Sequence, residues 1–128
     1  MVSLGITNER TAKVTSDNTA MALGSGTLPV YATPAMILLI EQTASESVMS
    51  ELQDGESTVG TFLDIKHTSA SPVGMDVKCM TELIEIDRSR LRFAVRVTDS
   101  KGEIGVGFHE RFVVKNEKFM TRAESKLE

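Results

Sequence analysis

Tryptophan is absent from this 128-residue chain, aromatic side chains make up only 5% of it, and cysteine occurs once. A core without large rings must be assembled from Val, Ile, Leu, Met and Ala. The single thiol, Cys79, excludes an intramolecular disulfide framework and a cysteine-based zinc cluster. Long apolar runs are missing as well. The longest, Ala35 to Ile40, is about a third of the ~20 residues a membrane-spanning helix needs. No basic-then-apolar leader opens the chain, so the reduced cytoplasm is the expected compartment. A cationic surplus is also lacking: net charge is −4, and Lys and Arg are scattered among acids, which disfavours nucleic acid as a partner. No HExxH, GxSxG, CxxC or glycine-rich phosphate loop occurs, and two histidines without clustered aspartates predict no metal site.

What remains is an ordinary globular balance, 41% hydrophobic and 25% charged, in a length that suits one domain spanning residues 1–128. Residues 6 to 19 are polar and Thr-rich and fit a first exposed strand. Leu23 to Pro29 is rich in small residues and breakers and reads as a loop. Thr33-Pro34 then places an N-cap residue before a proline at the first helical position, and a helix runs from there to Asp54-Gly55. Its first two turns are apolar on every side, which predicts a helix wrapped by protein. After Gly55 the period changes from helix to strand. Val59 to His67, Met75 to Ile86, Arg90 to Thr98 and Glu103 to Lys115 are four strand segments joined by short turns. Hairpin-linked strands make an antiparallel sheet, and this one has a single helix to curl around.

Several residues break the pattern of their own element. Glu41 closes the apolar run of the helix, on the face of Thr33 and Ile37. It either marks where the helix meets water or is a carboxylate held in a cleft. His67 continues the register of Val59, Thr61, Leu63 and Ile65, as a core histidine or as a proton-transfer group. Thr33 is either a cap or a third member of that group. Together an acid, an imidazole and a hydroxyl suit acyl transfer or hydrolysis. Gly60 allows close backbone approach to a ligand, with its N–H as an oxyanion donor, or marks a bulge. In the last strand, alternation puts Ile104, Val106, Phe108 and Phe112 inward, leaving His109 and Arg111 on the opposite face. Arg88, Arg90 and Arg92 at i, i+2 spacing form a solvated cationic face or an anion site.

The segments Val30-Tyr31-Ala32-Thr33-Pro34-Ala35-Met36, Leu39-Ile40-Glu41, Val59-Gly60-Thr61, Lys66-His67-Thr68 and Gly105-Val106-Gly107-Phe108-His109-Glu110-Arg111 resemble the fluoroacetyl-CoA thioesterase family. The resemblance covers about residues 5 to 120. It implies an α+β hotdog fold, with one long central helix wrapped by a curved five-stranded antiparallel sheet. It also implies hydrolysis of a small or medium acyl-CoA thioester. The family's catalytic group falls on Thr33, Glu41 and His67, and its substrate-binding positions on Gly60 and Arg111. No cofactor is expected, because a thioester is already an activated acyl group. The open edge of such a sheet predicts a homodimer, or a dimer of dimers, with the site at the interface. One stretch departs from the family: its fluoroacetyl-specific members carry phenylalanines ahead of the catalytic threonine, where this chain has Gly24-Ser25-Gly26-Thr27. A hydratase or dehydratase acting on acyl-CoA, and a non-catalytic acyl-CoA-binding module, are the alternatives.

Overall fold

The computed structural model describes all 128 residues. Strand β1 (Thr7–Lys13) leads through a short helix α1 (Ala20–Leu23) into the long helix α2 (Thr33–Met49). Strands β2 (Glu56–His67), β3 (Asp76–Asp87), β4 (Arg90–Asp99) and β5 (Gly102–Lys115) follow, and helix α3 (Asn116–Glu124) ends the fold with a short 3-10 turn. The five strands form one antiparallel sheet in the order β1-β3-β4-β5-β2. Helix α2 packs on one face through Met36, Leu39, Ile40, Ala44 and Val48. Against these lie Val77, Cys79 and Leu83 of β3 and Leu91, Phe93, Val95 and Val97 of β4. The β4 residues keep strict alternation, and all four inward positions are buried.

Local chemistry explains most boundaries. The turn between β4 and β5 is held by Asp99, whose Oδ1 accepts from the Lys101 amide at 2.8 Å, and Gly102 takes φ 139°. Helix α2 stops at Met49, earlier than the glycine signal suggests. The chain continues in single turns to Gly55, which has φ 83°. Its opening turns are not wrapped on every side, because Leu38 is exposed. Helix α3 lies beyond the last alternating segment and buries none of its residues.

Two face assignments made from alternation are corrected by bulges and turns. Thr61 is passed over in the pairing of β2 with β5, where register shifts between Gly60 and Phe62. Thr58 and Gly60 therefore face the helix together with Leu63, Ile65 and His67, in place of Val59 and Thr61; one extra residue flips every side chain before it. In β5 a second irregularity, between Glu103 and Gly105, leaves Ile104 buried. Beyond it His109 and Arg111 point inward, and Val106, Phe108 and Phe112 are exposed. The arginine row is likewise broken. Arg88 sits in the β3–β4 turn with φ 58°, while Arg90 and Arg92 both donate to the Glu110 carboxylate, at 3.0 and 2.6 Å. The Arg92 guanidinium also lies over the Phe108 ring, 4.4 Å from its centroid.

The two sheet edges differ. β1 carries Glu9, Arg10 and Lys13, and these pair with Lys78, Glu46 and Asp76. β2 pairs only with β5, and it exposes Phe62 and Leu63.

Candidate active site

Thr33 opens α2, but its hydroxyl does not cap the helix. The N-cap is Ala32, whose extended backbone (φ −76°, ψ 141°) makes the turn without a side-chain bond. The freed Thr33 Oγ1 lies 2.8 Å from His67 Nδ1. This pair lines a cleft of about 320 Å³ with Ala20, Ser25, Val30 and Tyr31. Burial lowers the His67 pKa below its ordinary value, since the charged imidazole loses hydration there. The other ring nitrogen, Nε2, is buried and has no hydrogen-bond partner.

Glu41 occupies a second cluster, two turns along α2 and so about 12 Å from Thr33 along the helix axis. Its Oε2 lies 3.6 Å from Arg111 Nη1. The backbone of Gly60 closes the other side. A β-carbon at that position would stand 2.5 Å from Glu41 Oε2, 3.3 Å from Arg111 Nη1 and 3.4 Å from His109 Cε1. Gly60 is absent from the glycines with positive φ, so the requirement there is for space rather than for an unusual backbone.

Arg111 is 7% exposed and tightly held. Its Nε donates to Thr58 Oγ1 at 2.8 Å and its Nη2 to the Thr58 carbonyl at 3.0 Å. Desolvation pushes its pKa down, and the Glu41 charge opposes that shift. His109, also fully buried, contacts Arg111 Nη1 through Nε2 at 3.2 Å and the Phe62 carbonyl through Nδ1 at 2.8 Å.

Of the residues singled out from the sequence, Thr33 and His67 are thus in contact, and Glu41, Gly60 and Arg111 meet. No hydrogen bond or ion pair joins the two groups within one chain. His109 was expected to point away from this region. The signal that would have found it is the irregularity at Ile104 in β5, which alternation alone does not reveal.

A family model for the fluoroacetyl-CoA-specific thioesterase matches residues 14–117. The fluoroacetyl-CoA thioesterase of Streptantibioticus cattleyicolor is 36% identical over 97 residues, which are 76% of this chain and 70% of that protein. The chain belongs to this family of acyl-CoA thioesterases. Solved structures of the fluoroacetyl-CoA thioesterase FlK, one of them a variant in complex with acetyl-CoA, are 30% and 29% identical. Each superimposes with a TM-score of 0.92 over 98% of both chains. The hotdog fold extends to a hot-dog-like protein of Thermanaerovibrio acidaminovorans, 20% identical, with a TM-score of 0.90 over 98% of this chain and 93% of that one. The five-stranded antiparallel sheet with the long helix α2 packed on one face is therefore the hotdog fold of the thioesterase family.

Proposed function

We propose that the protein hydrolyses the thioester of a small or medium acyl-CoA, releasing the free acid and CoA, and that Glu41, Thr33 and His67 perform the reaction across a dimer interface. The observation that carries this reading is the arrangement of Glu41: a carboxylate beside a bare glycine backbone and a buried guanidinium. Glu41 attacks the thioester carbonyl, expelling CoA and leaving a mixed anhydride that water then cleaves to the free acid, or it takes the proton of the water that attacks the thioester directly. The Gly60 N–H is the donor for the developing oxyanion. His67, neutral at rest and oriented by Thr33, takes a proton as water is activated and gives it to the departing CoA thiolate. Binding of an acyl-CoA is supported by the acetyl-CoA complex of the related FlK variant. The loop around Gly24 to Thr27 holds no phenylalanine, so selection for a fluorinated acetyl group has no aromatic lid to rest on.

The dimer brings the two clusters together. β2 has one unpaired side with exposed apolar residues, a ready template for a second copy. Antiparallel pairing of β2 with itself keeps inward residues opposite inward ones only when the dyad falls on a residue. With the Gly60–Thr61 bulge counted as one position, a dyad at Asp64 sets His67 of each chain opposite Gly60 of the other, and hence beside Glu41. Two complete sites result, each drawing Thr33 and His67 from one chain and Glu41, Gly60 and Arg111 from the other.

The test is a panel of short acyl-CoAs followed with a thiol reagent. Release of CoA with a preference for short chains is the expected result. Binding without release would establish a carrier module, and a changed acyl chain still attached to CoA would establish a hydratase.

A further inference from the structure

The buried His109 has no part in the chemistry described so far, although it touches the residue that faces Glu41. Its Nδ1 lies 2.8 Å from the Phe62 carbonyl. A carbonyl only accepts, so Nδ1 carries the proton. In the neutral ring Nε2 then presents a lone pair, and Arg111 Nη1 donates to it at 3.2 Å. The ring cannot turn freely, since it stacks on Phe93 with centroids 6.3 Å apart and planes 27° from parallel. Nη1 also faces Glu41 Oε2 at 3.6 Å, while Nε and Nη2 are engaged by Thr58. The guanidinium is therefore clamped on both flanks, by Thr58 and by His109, with Nη1 between the imidazole and the carboxylate.

We propose that His109 is a positioning residue for the reaction, whose neutral imidazole fixes the Arg111 guanidinium in the orientation that holds the Glu41 carboxylate beside Gly60. The proposal rests on the assignment of Glu41 as the reacting carboxylate. A second proton on Nε2 would aim an N–H at the guanidinium and break the clamp. Burial lowers the His109 pKa and the Arg111 charge acts in the same direction, while Glu41 across from it on α2 and Glu110 beside it on β5 act against. The neighbours of the ring from β4 and β2, namely Phe93, Leu63, Gly60 and the Phe62 carbonyl, are uncharged.

The test compares His109→Leu, His109→Gln and His109→Asn in the full chain, with mass and circular dichroism as controls for assembly and folding. Leucine fills the space and removes the acceptor. Glutamine returns a carbonyl oxygen near the Nε2 position. Asparagine keeps a donor for Phe62 but is too short to reach Arg111. A hydrogen bond to a charged group is worth about a tenfold effect or more. His109→Leu is expected to lower kcat by that factor, with KM within about threefold of the parent. His109→Gln should restore most of the lost kcat. The loss should vanish when leucine is introduced into a Glu41→Gln background, because the effect travels through that carboxylate.

A folded His109→Leu with parental kcat overturns the proposal, as do equal losses in the leucine and glutamine variants or an undiminished loss in the Glu41→Gln background. Should His109→Leu not fold, His109→Asn decides by the same criterion. The underlying reading fails separately: parental activity in Glu41→Gln alone would remove Glu41 from the reaction whatever the His109 variants do.

Discussion

Glu41 Oε2 stands where residue 60 would carry its side chain: a β-carbon on Gly60 would lie 2.5 Å away. Real β-carbons do not approach an oxygen so closely, so the helix and the bulged strand are matched at this one point. Gly60→Ala is expected to leave the backbone unstrained and to displace the carboxylate. A shift of about 1 Å at a reacting group costs on the order of 10²-fold. CoA release should fall steeply while the melting temperature stays close to that of the parent. An alanine variant of undiminished activity would show that Glu41 need not sit against this backbone.

Glu41→Gln retains the size and hydrogen-bonding shape of the side chain and removes its charge. Loss of a general base costs ~10²–10⁴ in rate, and loss of a nucleophile at least as much. The folded variant should bind an acyl-CoA and release almost no thiol. Full turnover would mean that the carboxylate merely marks the helix surface.

His67 must be neutral to accept a proton, and burial lowers its pKa from the ordinary value near 6.5. Activity should therefore hold through neutral pH and fall along an acid limb centred below ~6.5. His67→Ala should abolish most of the turnover together with the limb. Thr33→Ser, which keeps the hydroxyl that meets Nδ1, should retain activity far better than Thr33→Ala. A limb unchanged in the residual activity of His67→Ala would assign it to another group.

Folding stability should follow the two histidines in the same direction. Both have native pKa values below that of the unfolded chain. The unfolded state thus binds more protons at mildly acid pH. The stability they contribute is complete above about pH 6.5 and is lost as pH falls toward the native values. Denaturant midpoints measured from pH 8 to pH 5 should decline, and His109→Gln should flatten the decline. A midpoint independent of pH in the parent would contradict the burial of both rings.

Light scattering at micromolar concentration should return a multiple of the 14.0 kDa chain mass. Leu63→Lys, which puts a charge at the centre of the open β2 edge, should shift the mass toward that of one chain. CoA release should fall with it. A monomer that turns over acyl-CoA at the parental rate would place the whole site within one chain.

The sheet was legible in the sequence because β4 alternates without interruption, so Leu91, Phe93, Val95 and Val97 fell on the buried face as expected. The helix start was legible from Thr33-Pro34, although the cap itself belongs to Ala32 and the threonine hydroxyl turns to His67. Alternation failed where the pairing is irregular. A bulge leaves no mark in residue type beyond a glycine, and the one beside Gly60 reversed the faces of Thr58, Val59 and Thr61. The inward turn of His109 and Arg111 was hidden for a related reason: Phe108 and Phe112 looked like core residues, and both in fact lie on the exposed face, Phe108 under Arg92. Contacts such as that between Gly60 and Glu41 depend on how closely α2 settles on β2, which no local pattern encodes.

The charged residues of β1 bear on what this sheet can become. A strand carrying Glu9, Arg10 and Lys13, each already neutralised by a neighbour in its own chain, offers an incoming backbone a row of ions to desolvate. Recruitment is thus confined to the opposite edge. In the proposed β2 pairing the two copies are related by a two-fold axis and leave only β1 edges outward, so that pairing would terminate after a single addition and carry no route to an endless fibre.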